Sequence, residues 1–271
     1  MKASANAAVT VVNAMATGNG SAVGIDLEVT SEVEIVEKGV KGEIRVRGDR
    51  YENFELIRCV KEVVEDKLGE DFGIEFIVDS EIPIGKGLKS SSAVSNALVK
   101  AIVRSLDVKL DDREMIDMGI EASEKAGVTL TGALDDAYAS YFGGLCFTDN
   151  LEGKVLKSEK IKEEPVFLLI PEETVLTNEL IDIDFEDISP YIDLVFDSAV
   201  NDHWREASFL NGLIYSAFFG YDLEPILEVL EFSETVGLSG KGPAVYSMSE
   251  ESEKIKRNWA SKGEILEVST I

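Results

Sequence analysis

A glycine-rich turn closed by three serines constrains this chain more than any other feature. The turn contains Gly85 and Gly87, and Ser90, Ser91 and Ser92 follow it. Alternating apolar residues before the turn predict a strand, and an apolar face after it predicts a helix. Such a unit leaves backbone N–H groups free at a helix N-terminus, where the helix dipole favours an anion. The sequence therefore predicts an anion-binding loop, and phosphate is the anion we expect.

The loop differs from the P-loop of nucleotide-binding proteins, because no Gly-Lys-Ser or Gly-Lys-Thr occurs in the chain. A serine that only caps the helix is the alternative interpretation, since serine favours that position. Three serines after Gly-x-Gly exceed what a cap requires, which favours a phosphate site. One of their hydroxyls could also bind Mg²⁺.

Composition excludes several classes of function. The 271 residues carry a net charge of −26, which argues against nucleic-acid binding. No apolar run approaches the roughly 18 residues of a membrane span, and the N-terminus lacks the Leu-rich core of a signal peptide. Cys59 and Cys146 lie in apolar periodic segments, which predicts buried, reduced thiols and a cytoplasmic protein without a membrane partner. His203 is the only histidine, so a histidine-rich metal site is excluded.

The periodic pattern predicts an α+β chain. Residues 32–36 and 43–47 resemble a hairpin with Gly39 and Gly42 in its turn, and the charged residues 150–163 resemble a joint between two halves. Helices are predicted at 52–68, 93–102, 111–125, 137–142, 191–200, 203–219, 223–235 and 250–261. Strands are predicted at 9–12, 73–79, 145–147, 166–170, 244–248 and 265–268.

Two further segments carry groups suited to chemistry. Adjacent Asp135 and Asp136 precede a small-residue helix, where carboxylates could bind a metal or orient a hydroxyl nucleophile. Taken alone, this segment favours a simpler interpretation, in which Asp caps the helix. Residues 236–244 form a second glycine turn with a serine and a lysine, which slightly favours a backbone that closes around a charged ligand over a plain tight turn.

Together these residues resemble the GHMP kinases, the galacto-, homoserine, mevalonate and phosphomevalonate kinases. The glycine–serine loop is similar to the central ATP-binding motif of that family, and residues 239–243 are similar to its C-terminal glycine motif. The spacing of Glu124 and Asp135, and the position of Gly143-Gly144, also resemble the family. Three ordered motifs over nearly the whole chain are more specific than any one of them.

Within that family the chain most resembles the archaeal-type shikimate kinases. Lys89 stands where the wider family has Gly, and residues 10–22 are also similar to that subgroup. The resemblance implies ATP-dependent phosphorylation of the 3-hydroxyl of shikimate, in chorismate and aromatic amino-acid biosynthesis, with Mg²⁺. The alternatives are a kinase for another small alcohol, such as homoserine or mevalonate, and a non-catalytic nucleotide or metabolite sensor. The sequence is silent on the oligomeric state.

The resemblance also implies a two-lobed fold and residue roles. Residues 1–150 would form a ribosomal-protein-like lobe and residues 151–271 a ferredoxin-like lobe. ATP would be bound by Pro83, Ile84, Gly85, Lys86, Gly87, Leu88, Lys89, Ser90, Ser91, Ser92 and Ala93. Ser91 and Glu124 would hold Mg²⁺, and Asp135 or its rival Asp136 would be catalytic; the Glu124 spacing favours Asp135. Substrate-binding candidates are Thr17, Gly18, Ser21, Gly240 and Gly242, with Arg205 or Lys241 near the shikimate carboxylate.

Overall fold

The computed structural model describes residues 1–129, 131–174 and 183–271. A seven-stranded sheet and its helices take up the first part of the chain. Its strands are β1 (Lys2–Val12), β2 (Asn19–Val36), β3 (Val40–Val46), β4 (Asp49–Tyr51), β5 (Gly73–Ser80), β6 (Leu145–Asp149) and β7 (Lys154–Glu159). Its helices are α1 (Glu55–Leu68), α2 (Ser90–Ser105), α3 (Asp112–Lys125) and α4 (Leu134–Phe142).

The second sheet has four strands in the order β11-β8-β10-β9, all antiparallel. Its strands are β8 (Pro165–Ile170), β9 (Thr235–Leu238), β10 (Val245–Met248) and β11 (Glu264–Ser269). Its helices are α5 (Ser189–Ser198), α6 (Trp204–Phe219), α7 (Glu224–Leu227) and α8 (Ser252–Trp259), with a π-turn at Ala199–His203 and a 3₁₀ turn at Leu230–Phe232. Residues of both sheets share one hydrophobic core.

The predicted hairpin of 32–36 with 43–47 is wrong. Strand β5 lies between the two segments, antiparallel to β2 and parallel to β3. Gly42 suggested a turn, but it stands opposite Phe76 of β5, where a Cβ would lie 2.0 Å from the Phe76 carbonyl oxygen. This glycine therefore permits a close approach of two strands.

The strand–loop–helix unit around the glycine–serine turn is confirmed. Strand β5 buries its alternate residues, and α2 buries Ala93, Ala97 and Leu98 among other residues of the predicted apolar face. That face packs on β1 and β2. The predicted helix from residue 111 is also confirmed, because the Glu114 N–H donates to Asp111 Oδ1 at 2.8 Å in a capping box.

The predicted helix over 223–235 is wrong beyond its first turn. Helix α7 ends at Leu227, and β9 begins at Thr235. All four residues of β9 are buried, and a Cβ on Gly237 would lie 2.6 Å from Ser208 Oγ of α6. The close contact with α6 fixes residues 235–238 as a strand, so the helical pattern does not continue to residue 235, and a 3₁₀ turn at Leu230–Phe232 lies between α7 and β9.

The charged segment 150–163 contains β7, which pairs with β6 and extends the first sheet beyond residue 150. The division of the chain into 1–150 and 151–271 stays a prediction. Within the described residues, no helix combines the length and the apolar character that a membrane crossing requires.

Candidate active site

The phosphate-type loop places bare backbone at the start of α2. Gly85 and Gly87 have φ angles of 68° and 80°, in the left-handed region that favours glycine. Lys89 is the N-cap residue, with φ 63°, and among the described side chains none accepts a hydrogen bond from the first turn of the helix. The capping interpretation of the three serines is therefore wrong, since they are the first three helical residues. The N-terminal N–H groups remain available for an anion.

The two glycine turns of the sequence are in direct contact. Ser239 Oγ donates to the Gly87 carbonyl oxygen at 2.9 Å, and the Ala244 N–H donates to the Lys86 carbonyl at 3.3 Å. A Cβ on Gly87 would lie 2.0 Å from the Ser239 carbonyl oxygen, so only glycine fits there. The second glycine turn therefore packs against the glycine–serine loop and holds its backbone in place.

Strand β1 fixes the second turn in place. The Thr10 hydroxyl accepts from the Gly240 N–H at 2.8 Å, and Asn13 Nδ2 donates to the Gly240 carbonyl at 2.8 Å. A Cβ on Gly240 would lie 3.2 Å from Lys89 Nζ, whereas one on Gly242 would meet the Tyr221 ring at 2.7 Å. Gly240 thus faces the glycine–serine loop, whereas Gly242 lets the second turn pack closely against the Tyr221 ring.

A cavity of about 670 Å³ lies between the loop and α4. Part of its wall is apolar and includes Ile44, Val46, Tyr51 and Leu56. The sequence analysis did not identify this wall, because β3 and β4 carry no motif. Predicted site residues at the cavity are Pro83, Ile84, Gly85, Gly87, Leu88, Lys89, Ser90, Ser91, Asp135, Asp136 and Gly240.

Asp135 and Asp136 lie in the first turn of α4, and neither is its N-cap. The N-cap is Ala133, in a left-handed conformation, so the capping alternative is wrong. Asp135 is only 3% exposed, and its Oδ1 accepts from Asn150 Nδ2 at 2.9 Å. Burial, with a smaller contribution from the Asp136 charge, raises the pKa of Asp135 to about 7. A buried carboxyl with such a pKa at a cavity wall is suited to accept a proton near neutral pH.

Asp136 has a different environment. Its Oδ1 lies 2.8 Å from Lys89 Nζ, at a geometry that makes an ion pair without a directed hydrogen bond. The side chains are 9% exposed for Lys89 and 16% for Asp136. The helix start of α2 and that of α4 are therefore joined by a cation and an anion at the cavity wall.

The Lys86 side chain does not line the cavity, although the resemblance implies that Lys86 belongs to the ATP-binding loop. Its Nζ donates to the carbonyl oxygens of Pro171 at 2.7 Å and Glu172 at 2.9 Å, and also to that of Glu173. Burial lowers the pKa of Lys86. Ser92 and Ala93 are buried in α2, so they help to anchor the helix that follows the loop.

The two candidate Mg²⁺ ligands lie on different elements. Ser91 lines the cavity in the first turn of α2. Glu124 of α3 is exposed, and its Oε1 would lie 3.0 Å from a Cβ on Gly132, beside the turn that leads to α4. A hydroxyl and a carboxylate are hard oxygen donors, which fits Mg²⁺ with its remaining positions filled by phosphate and water. In the parts of the chain described, no three or more His, Cys, Asp or Glu side chains form a metal site by themselves.

The three N-terminal substrate candidates do not line the cavity. Thr17 Oγ1 accepts from the Asn19 N–H at 3.2 Å, and the Gly18 carbonyl accepts from the Asn150 N–H at 2.9 Å. Ser21 is fully buried. A Cβ on Gly20 would lie 2.6 Å from Asp135 Cγ, and side chains alternate along a strand, so Ser21 points away from Asp135.

Arg205 and Lys241, the two cations considered as partners of the shikimate carboxylate, lie in different places. Arg205 donates to both carboxylate oxygens of Glu164, at 2.8 and 2.7 Å, and stacks on Trp204. It lies outside the cavity, whereas Lys241 lines it.

Comparisons with known proteins agree with this architecture. Residues 55–144 match the N-terminal domain model of the GHMP kinases. The shikimate kinase of Pyrococcus furiosus is 51% identical, over 98% of this chain and 97% of that protein. The shikimate kinase of Thermococcus kodakarensis is 50% identical, over 98% of both chains.

Solved structures confirm the α+β, two-lobed fold. The Methanococcus jannaschii mevalonate kinase superposes with a TM-score of 0.79, over 100% of this chain and 98% of that one, at 17% identity. Likeness at that identity concerns the fold alone. The full-length identity to the two shikimate kinases is more specific, and the chain therefore belongs to the archaeal-type shikimate kinases of the GHMP kinase superfamily.

Proposed function

We propose that this protein transfers the γ-phosphoryl group of ATP to the 3-hydroxyl of shikimate, which yields shikimate 3-phosphate and ADP. The observation that carries the proposal is the identity of about half of all residues, over nearly the full chain, to shikimate kinases. The cavity supports it, because it joins an anion-binding helix start to a pair of carboxylates.

ATP would lie in the cavity between its apolar wall and α4. The purine is suited to the wall of Ile44, Val46 and Tyr51, since an aromatic base buries best against apolar side chains. The phosphates are suited to the N-terminus of α2, where N–H groups and the helix dipole favour negative charge. Gly85 and Gly87 let the backbone approach them closely.

The reacting groups meet at the start of α4. Asp135 would accept the proton of the 3-hydroxyl as its oxygen bonds to the γ-phosphorus. The bond from that phosphorus to the β,γ-bridging oxygen breaks, and ADP leaves with the electron pair. Lys89 would stabilise charge on the transferring group, because its Nζ lies at the cavity wall between the loop and Asp136. Phosphoryl transfer depends mainly on such positioning and charge stabilisation, so it requires no catalytic histidine.

Ser91 and Glu124 would hold Mg²⁺, which neutralises phosphate charge when bound. Replacing Glu124 with Gln is expected to raise the Mg²⁺ concentration required for half-maximal activity by about tenfold or more, since a neutral amide binds this ion poorly. Initial rates at fixed ATP over a Mg²⁺ series measure this. Glu121→Gln is the matched control, because Glu121 is also exposed on α3. Equal shifts in both variants would remove Glu124 from the metal site.

A coupled ADP-release assay with Mg-ATP tests the function directly. Shikimate is expected to give turnover, and homoserine, mevalonate and galactose are expected to give background rates. The position of phosphorylation follows from ³¹P–¹H NMR of the product. Turnover with another alcohol and none with shikimate would reject the proposed substrate. Nucleotide binding without turnover of any alcohol would favour a sensor.

A further inference from the structure

Asn150 follows β6 and joins Asp135 to the first sheet. Its Nδ2 donates to Asp135 Oδ1 at 2.9 Å and to Thr131 Oγ1 at 3.3 Å. Its Oδ1 accepts from the Thr148 hydroxyl at 2.7 Å. The opposite orientation of the amide would bring an oxygen against the carboxyl of Asp135, so this network determines which end of the amide faces it.

The backbone around Asn150 is held as firmly as its side chain. The Asn150 N–H donates to the Gly18 carbonyl at 2.9 Å, and Thr148 pairs with Gly20 in the sheet. Gly20 in turn leaves the space that the Asp135 carboxyl occupies, because a Cβ there would lie 2.6 Å from its Cγ. The Asp135 carboxyl is thus confined between the Gly20 backbone and the Asn150 amide.

We propose that Asn150 is the positioning residue of the reaction: it orients the Asp135 carboxyl towards the cavity and stabilises its ionised form. This inference rests on the proton-accepting role of Asp135 in the proposed function. Asn150 itself contacts no substrate, and it acts through Asp135.

Among residues 1–129, 131–174 and 183–271, three other titratable groups lie against Asp135. Asp136 lies beside it on α4, Lys89 approaches from the start of α2, and Cys146 Sγ of β6 donates to the Asp135 carbonyl at 3.3 Å. Burial and Asp136 raise the pKa of Asp135, whereas Lys89 and the Asn150 hydrogen bond lower it. Because Lys89 is paired with Asp136, the Asn150 amide is the direct side-chain donor to this carboxyl.

Asn150→Leu removes the donor at similar volume. The acid limb of the pH profile of kcat/KM is expected to move upward by about one pH unit, since a hydrogen bond to the charged form is lost. Thr148→Val, a near-isosteric change, should move it in the same direction by less, because only the orientation of the amide is loosened. Tyr138→Phe is the matched control on α4: it loses the contact with Ser158 at 3.3 Å and should leave the limb in place.

A second readout needs no turnover. In the free protein, ¹³C NMR of labelled aspartate carboxyls, assigned with Asp135→Asn, should show Asp135 titrating near pH 7, and higher in Asn150→Leu. If wild-type protein does not phosphorylate shikimate, the proposed function fails, yet this titration still tests the inference. An unchanged titration, with activity lost equally at every pH, would show that Asn150 is structural only and overturn the proposal.

Discussion

Replacing Asp135 with Asn is expected to lower kcat for shikimate phosphorylation by about 10²- to 10⁴-fold, the usual contribution of a positioned proton acceptor. The amide keeps the size of the carboxyl and can still pair with Asn150, but it cannot take the proton of the 3-hydroxyl. The KM for ATP should change little, because the loop at the start of α2 is not altered. Steady-state kinetics with coupled ADP release give both constants.

The pH dependence sharpens this prediction. Burial raises the pKa of Asp135 to about 7, so the fraction able to accept a proton falls as pH drops through that value. The pH dependence of kcat/KM reports pKa values of the free enzyme. We therefore expect wild-type kcat/KM to fall about tenfold for each pH unit below the pKa of Asp135, which gives the profile an acid limb. Asp135→Asn should abolish the limb along with most of the activity.

Asp136→Asn is the matched control, one residue further along the same helical turn. Its carboxylate is paired with Lys89 at 2.8 Å, and its charge raises the pKa of Asp135. Its loss should therefore disturb the charge at the cavity wall and move the acid limb to lower pH without abolishing it. Mild and equal effects of the two substitutions would remove the proton-accepting role from Asp135. A large effect confined to Asp136→Asn would transfer that role to Asp136.

The sequence predicted those parts of the site that depend on local structure. The glycine–serine loop and the buried face of α2 depend on residues within about twenty positions of one another, where turn chemistry and helical period are decisive. The turn at residues 236–244 is predicted from its glycines for the same reason, and its binding of a charged ligand stays a prediction. Its contact with Gly87 is a matter of tertiary structure, and no local pattern indicates it.

Other parts required the fold. Asn150 reaches Asp135 because β6 returns beside β2, and one asparagine in a charged segment carries no signal of that. Gly42 was interpreted as a turn residue, since strand proximity and turn geometry both favour glycine. Lys86 and Lys89 flank Gly87 in the sequence, but only the structure shows that Lys89 pairs with Asp136 whereas Lys86 donates to the Pro171 carbonyl.

The net charge of −26 is compatible with phosphate chemistry because neutralisation is local. Lys89 and Lys241 line the cavity, and the free N–H groups of α2 add the positive end of its dipole. The overall acidity therefore says little about the field at the site, which a few groups determine.

Replacing Lys89 with Met is expected to lower kcat/KM by about 10²- to 10³-fold, the usual effect of removing one donor that stabilises a transition state. Methionine keeps the apolar stem but removes the cation between the ATP loop and Asp136. The free energy of unfolding should also fall by about 1–3 kcal/mol, because the largely buried Asp136 carboxylate loses its partner. Adding Asp136→Asn to Lys89→Met should restore much of that stability without restoring activity.

Lys86→Met is the control from the same loop. Lys86 Nζ donates to carbonyl oxygens of Pro171 and Glu172, outside the cavity, so its loss leaves these partly buried hydrogen bonds without their donor. We expect a lower midpoint in urea unfolding and a kcat within a few-fold of wild type. Urea titrations and initial rates of both variants separate the two roles. Equal losses of kcat/KM would mean that both lysines act through the loop backbone, and that Lys89 does not stabilise the transferring phosphoryl group.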